Sequence, residues 1–333
     1  MEEYAYRLAI ELDNMGVEII IVCEKVIPNS VQKQFQLVEL GTSISKPRWL
    51  SHLVFSAKVE RWIKDNAPQN IIIHSHERVR CHDLTTFHSS VYNFPSKRHF
   101  PSLRNFANEY IEKRELGSLN VKRIVPVSKL ISSQIVSKYP EIVKKLSPPV
   151  YPGVTPIKLS NKALSLNCPT IGFIGKEWKR KGMLKVIKIW RKIRETAPGV
   201  KLCLAGFSKP KCVTFTSIES QSVKFLGYVT SKSDFYREID LLLHPASFEA
   251  FGMVIAEALS LGIPTICSKQ CGAAEISNPL LLSLDYHDDS LAWAESTVKL
   301  LNNLPTISDL GKTLSWSDVA HDYLKIYQSI SVE

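Results

Sequence analysis

Short apolar runs alternate along the chain with longer stretches of helical periodicity. VEIIIVC (17–23), NIIIH (70–74), PTIGFIG (169–175), VKLCLAG (200–206), DLLLHP (240–245) and IPTICS (263–268) are β-branched or leucine-rich and bounded by turn residues. Such runs predict strands buried on both faces, as in a parallel sheet. Between them, 3–15, 51–65, 128–139, 182–195, 252–261, 288–302 and 316–330 repeat their apolar residues at helical spacing. Strand and helix in alternation predict an α/β class, with helices on both faces of doubly wound sheets.

LSPPVYPGVTP (146–156) interrupts the alternation with four prolines and a glycine. Proline restricts its own backbone and that of the residue before it, so this segment predicts an extended connector. The strand–helix series restarts after it. We therefore expect a first domain over 1–150, a second over 151–315 and a terminal helix over 316–333, with the boundary near 150–167. Two doubly wound domains facing a cleft would bind ligands at the carboxyl ends of their strands.

Composition narrows this picture modestly. The 333 residues hold a formal charge of +10, with 44% hydrophobic and 22% charged residues. That is a globular composition, long enough to bury two cores without disulfides or metal staples. No apolar run approaches the ~18–20 residues that span a bilayer. The seven cysteines form no C-x-x-C pair, which fits a reducing cytosol. Charge is uneven: 97–145 carries eleven Lys and Arg against four Glu. Such a stretch suits an anionic membrane surface or a phosphorylated substrate, or is an ordinary solvated helical face. No aromatic-rich signature accompanies it, which argues against nucleic acid.

Two segments carry candidate chemistry. In LLLHPASFEAFGMVIAEALSLGIPTICSKQCGAAEI (241–276), a strand ends at His244-Pro245, a loop carries Glu249, and a helix opens near Gly252 and carries Glu257. A helix N-terminus presents free amides and a positive dipole end, which suits phosphate, and Gly252 lets the backbone approach an anion. Glu257 lies among Met253, Val254, Ile255, Ala256, Ala258 and Leu259. Spacing alone favours a Glu exposed to water; its apolar company favours a carboxylate accepting bonds from paired donors such as sugar hydroxyls. In IGFIGKEWKRKGMLKVIKIW (171–190), a strand ends at Gly175 and a loop supplies Lys176, Lys179, Arg180 and Lys181 before an amphipathic helix. Cations at that position make an anion site or a solvated basic turn.

Together, GKEWKRKG and HPASFEAFGMVIAEALSLGIPTICSKQCGAAE resemble the retaining glycosyltransferases of family 4, which have the GT-B fold. The resemblance is nearest to enzymes that add glucose to the lipopolysaccharide core. AYRLAIELDNMGVEIIIVCEK, NIIIHSHERVRCHDLTTFH, VYPGVTP and LSWSDVAHDYLKIY resemble, more weakly, their first helix and second strand, acceptor-side strand and loop, connector and closing helix. The closing helix of that family crosses back to the first domain.

The resemblance implies a set of roles. Lys181 would neutralise the donor diphosphate, assisted by Lys176 or Arg180. Glu257 would bind the ribose hydroxyls and Glu249 the donor sugar. The amides of Phe251, Gly252 and Met253 would hold the β-phosphate or sugar, and the base would lie against Gly227 and Tyr228. His88 would sit near the reacting sugar carbon, so that Glu249, His88 and Lys181 form the catalytic set. The partners implied are a nucleotide sugar, with UDP as its nucleotide, and a saccharide or glycolipid acceptor at the inner face of the cytoplasmic membrane. No cofactor is implied, and no D-x-D triplet is present to hold a divalent metal. Family members begin with a strand and a glycine-rich loop, whereas this sequence opens at MEEYAYRLAIELDN. The rival expectation is therefore a truncated, non-catalytic nucleotide- or saccharide-binding protein.

Histidines 74, 76, 82 and 88 with Cys81 also invite a metal reading. Their spacing follows no standard zinc pattern, and lining of the acceptor cleft or satisfaction of loop ends explains them as well. Trp316 is expected to be a packing anchor.

Overall fold

A computed structural model describes residues 1–26, 35–42, 44, 46–91, 103–159, 168–210, 212–304 and 314–331. The chain divides into two compact units, Met1–Gly153 with Ser315–Glu333, and Val154–Leu314.

The first unit contains α1 (Glu2–Asn14), β1 (Ile20–Cys23), β2 (Gln36–Glu39), α2 (Arg48–Asn66), β3 (His74–Ser75), β4 (Leu84–Phe87), α3 (Leu103–Leu116), β5 (Arg123–Pro126) and α4 (Lys129–Lys138). Among the described residues β1 and β2 form one parallel pair, and β3, β4 and β5 form a separate parallel sheet. The run NIIIH, expected to be a strand over 70–74, contributes only its last residue to β3. Before it, Ile73 bonds instead to the Asp83 side chain and to the amides of Asp83 and Leu84. Asn70 takes a left-handed conformation, which ends extended pairing there.

The second unit contains β6 (Thr170–Ile174), α5 (Met183–Thr196), β7 (Lys201–Ala205), α6 (Ser217–Ser220), β8 (Val223–Gly227), α7 (Lys232–Glu238), β9 (Leu241–His244), α8 (Met253–Ser260), β10 (Thr265–Ser268), β11 (Leu281–Leu284) and α9 (Ser290–Asn302). Its six described strands form one parallel sheet in the order β11-β10-β9-β6-β7-β8. The strands after β6 wind outward on one side and those from β9 on the other. β6 and β9 are thus neighbours at the point where the winding reverses, where open α/β sheets form a crevice beyond their carboxyl ends. The core here joins Ile171, Phe173, Leu202, Leu204, Leu241 and Leu243 from the strands to Met183, Val186, Trp190, Ile193 and Trp293 from the helices. Each of these helices therefore presents an apolar stripe to the sheet.

The last helix, α10 (Trp316–Ser331), belongs to the first unit and packs against α1. Tyr4 of α1 meets Trp316 and Tyr323 edge-on, at centroid distances of 5.0 and 6.4 Å. Trp316 is buried, and its backbone lies so close to Gly153 that a Cβ on Gly153 would stand 2.6 Å from the Trp316 amide nitrogen.

α3 was not expected from the apolar pattern. It buries Ile111, Glu112, Glu115 and Leu116, while Leu103, Phe106 and Tyr110 are exposed. Two carboxylates stand where the helical period calls for apolar residues, and apolar residues stand on the outer face.

Candidate functional site

The cations of KEWKRKG emerge from the end of β6. Lys181 N bonds to Glu177 O, and Met183 N to Trp178 O, so the loop coils back before α5 begins. The stem of Lys181 then crosses Gly175: a Cβ on Gly175 would lie 2.3 Å from Lys181 Cδ. Lys176 is exposed. Arg180 is tied down: its side chain donates to Phe248 O and pairs with Glu177, while its carbonyl accepts from Ser247 N at 2.9 Å. The loops after β6 and β9 are thereby fastened to each other.

The loop after β9 carries Glu249, whose backbone is held by Gln270 O and Gly272 N. Its carboxylate gathers three partners. Lys181 Nζ stands 2.8 Å from Oε1, Arg180 Nη1 3.6 Å from Oε2, and His244 Nε2 3.5 Å from Oε1. Burial would raise the Glu249 carboxyl, but His244 and the Lys181 charge reverse this and hold it at about 2. His244 is fully buried, its ring parallel to that of Phe173. Burial keeps its titration below the ordinary histidine range, and Lys181 and Arg180 push it further down against the pull of Glu249. The imidazole is therefore neutral beside an ionised carboxylate at pH 7.

α8 opens at Gly252 with φ +101°, a left-handed conformation suited to glycine, and no side chain caps it. Ile255 N already bonds to Gly252 O, while Ala273 N holds Phe251 O at 2.7 Å. The first-turn amides near Met253 are the type of unsatisfied donors that bind anions. Phe251 and Gly252 are buried.

Glu257 is 5% exposed, which overturns the exposed-helix reading. Both its oxygens are engaged: Lys232 of α7 pairs with Oε1, and Tyr236 OH donates to Oε2 at 2.8 Å. Burial and the neighbouring Glu257 push the Tyr236 hydroxyl far above its ordinary range, so it remains a donor. At the end of β8, Gly227 has φ +65° and its carbonyl accepts from Gly206 N at 2.7 Å; Tyr228 beside it is 67% exposed.

The second unit thus assembles Arg180, Lys181, Glu249, Gly252 and Met253 around the ends of β6 and β9. Glu257 lies one turn along α8 from Met253, and Gly227 and Tyr228 lie beyond β7. His88 belongs to the first unit, just past β4. Its Nε2 is 2.9 Å from His76 Nδ1, and burial followed by His76 keeps it well below the ordinary histidine range. His74, half-buried, bonds to Tyr327 OH and Thr86 Oγ1, each at 2.7 Å. Among the described residues no group of three or more His, Cys, Asp or Glu has metal-holding geometry.

His244, Lys232 and Tyr236 received no role from the sequence. His244 had a visible signal, a polar residue ending the apolar strand LLLH. Lys232 and Tyr236 had none, because their helix was not expected.

Residues 168–303 match the family described as Glycosyl transferases group 1. A D-inositol 3-phosphate glycosyltransferase of Corynebacterium urealyticum is 24% identical over 191 residues, covering 50% of this chain and 44% of that protein. The chain thus aligns with less than half of that curated relative's length. The crystal structure of WaaG, a glycosyltransferase involved in lipopolysaccharide biosynthesis, superposes with a TM-score of 0.71 at 17% identity, covering 99% of this chain and 95% of that one. Anabaena HepE in complex with UDP and glucose superposes with a TM-score of 0.61 at 14% identity, covering 97% and 96%. Residues 168–303 therefore match the glycosyl transferases group 1 model, and the chain has the GT-B fold.

Proposed function

We propose that the protein transfers a hexose from a UDP-sugar to a saccharide or lipid-linked acceptor, with retention of configuration and without a metal. The observation that carries this reading is the convergence of Lys181 and the opening amides of α8 on the ends of β6 and β9. Glycosyl transfer leaves charge on the departing diphosphate. A fixed ammonium group and helix amides stabilise that charge most in the transition state. Lys181, with Arg180 behind it, would face the diphosphate, and Glu249 would face the sugar. Glu257 would take the ribose hydroxyls on the lone pairs that Lys232 and Tyr236 leave open. The base would rest beside Gly227 and Tyr228. Same-face attack by the acceptor would give retention, and His88 of the first unit is proposed as a member of the catalytic set. HepE, whose structure holds UDP and glucose, and WaaG, named for lipopolysaccharide biosynthesis, support the donor and acceptor classes.

An anionic membrane surface is proposed as the place of the acceptor. α3 exposes Leu103, Phe106 and Tyr110 among the exposed Arg104 and Lys113, an apolar strip with cationic flanks of the type that settles on lipid headgroups. Lys113, Arg114 and Lys138 also pair with Glu109, Glu60 and Glu112, which consumes part of the basic excess. Residues 97–102 of that basic stretch lie outside the described residues. No described helix is long and apolar enough to cross a membrane.

Titration of the protein with UDP and a panel of UDP-hexoses, followed by transfer of labelled hexose to lipopolysaccharide core acceptors, tests the activity. Absence of binding by every nucleotide sugar rejects it. NMR of the product anomer tests retention. Flotation with anionic vesicles at low salt tests the membrane surface, and protein remaining at the bottom of the gradient rejects it.

A further inference from the structure

His244 poses a question that the donor reading leaves unanswered. It is fully buried at the end of β9, with its ring plane set by Phe173. Neither ring nitrogen has a hydrogen-bond partner among the described residues. An apolar side chain would pack there without desolvating two polar atoms, and buried polar groups without partners are rare. The imidazole is nonetheless aimed at a carboxylate, with Nε2 3.5 Å from Glu249 Oε1. That separation exceeds the N–H···O range of about 2.7–3.2 Å by only a few tenths of an ångström. Lys181 holds the same oxygen at 2.8 Å.

These distances describe one acceptor oxygen with two candidate donors, of which the ammonium group stands closer, as an ion pair. Lys181 is also the cation assigned to the diphosphate, and an ammonium group that turns toward a diphosphate loosens its hold on Glu249. A neutral imidazole with its proton on Nε2 can then close the remaining gap. A carboxylate only accepts hydrogen bonds, so the proton of the neutral ring must be on Nε2 for this contact to be favourable.

We propose that His244 is a positioning residue: its Nε2–H takes over Glu249 Oε1 when Lys181 engages the donor diphosphate, and so keeps the carboxylate aimed at the donor sugar. This rests on the donor reading above. His244 itself touches neither sugar nor phosphate in this scheme and acts through Glu249.

The test compares His244→Asn with His244→Gln, which places an amide N–H near the position of Nε2. In donor-sugar hydrolysis, His244→Asn is expected to lower kcat roughly 10- to 100-fold, the scale of a misplaced reacting group. UDP affinity is expected to stay within about twofold, since Lys181 and the α8 amides are intact. His244→Gln is expected to recover most of the lost turnover. Wild-type kcat in His244→Asn, or equal loss in both variants, overturns the proposal. Nitrogen-15 NMR of the wild-type imidazole gives a second readout that needs no turnover. The expected result is a proton on Nε2 whose resonance moves when UDP is added; a proton on Nδ1, or no response to bound UDP, overturns the proposal. Failure of the wild type to bind any nucleotide rejects the donor reading instead, and the proton position still decides whether His244 can donate to Glu249.

Discussion

Lys181 and Glu249 form an ion pair of 2.8 Å between the loop that follows β6 and the loop that follows β9. The pair joins a cation and an anion that the donor reading assigns to different parts of one ligand, the diphosphate and the sugar. Ligand binding must then compete with the pair. Removing the anion should strengthen diphosphate binding, and removing the cation should weaken it.

Glu249→Gln is accordingly expected to tighten UDP binding roughly threefold or more, because a carboxylate no longer repels the phosphates, while turnover falls. Lys181→Ala is expected to weaken UDP about 10- to 100-fold, the scale of a hydrogen bond to a charged group. Calorimetric titration with UDP checks both. Weaker UDP binding by Glu249→Gln would place the diphosphate away from this pair.

Gly175 matters to the same ammonium group through the lysine stem that crosses it. A Cβ there would come 2.3 Å from Lys181 Cδ and 3.2 Å from Cε. A lysine stem can move aside, so Gly175→Ala is expected to cost under about 1 kcal/mol of stability. The displaced Lys181 should nevertheless weaken UDP about tenfold. Chemical denaturation and UDP titration of the same sample separate the two effects; a large loss of stability with normal affinity would contradict the expectation.

Glu257 is pinned by Lys232 and Tyr236. Removing it leaves the buried Tyr236 hydroxyl only the more distant Val254 carbonyl, at 3.3 Å, so Glu257→Ala is expected to lose about 1 kcal/mol of stability. If the ribose also rests on this carboxylate, affinity for uridine and UDP should fall together while inorganic pyrophosphate binding is preserved. Equal loss of pyrophosphate binding would indicate a wider collapse of the site.

How far could these contacts be anticipated? The residues of both loops stood out in the sequence as cations after one strand and carboxylates around a helix start. Their pairing did not, since no spacing within either segment contains the other. Spacing alone favoured an exposed Glu257, and its protein partners stayed hidden because Lys232 and Tyr236 lie on α7, whose seven residues are too few to show a period. α3 stayed hidden for a different reason: Glu112 and Glu115 occupy its buried face, satisfied in part by Lys138, Tyr139 and Thr85. A hydrophobic pattern cannot display a helix whose inner face is partly charged.

Glu115 supplies the pH dependence. Burial raises its carboxyl to about 8 against the nearby Arg78, and Glu112 adds to the rise. Its Oε2 has no hydrogen-bond partner among the described residues. In the unfolded chain the group titrates near ~4.3. The folded state therefore binds the proton more tightly, and the contribution to stability is complete below that unfolded value. It is lost as pH rises toward and through about 8. Glu115→Gln mimics the protonated form, and is expected to remove on the order of a few kcal/mol of this decline. Urea unfolding at pH 6 and pH 9 measures it; parallel pH profiles for the variant and the wild type would contradict the buried-carboxyl account.

The sequence by itself determined the α/β alternation, the proline-rich connector, the terminal helix and the two loops with chemical character. Each follows from local rules: periodicity, backbone restriction and residue type over a few neighbouring positions. Only the tertiary structure decided that β6 and β9 lie side by side, because strand order comes from long-range packing of crossover helices on the sheet and leaves no trace in local periodicity. That neighbourhood brings Lys181, Glu249 and His244 together, and makes Glu257 a buried, partnered carboxylate.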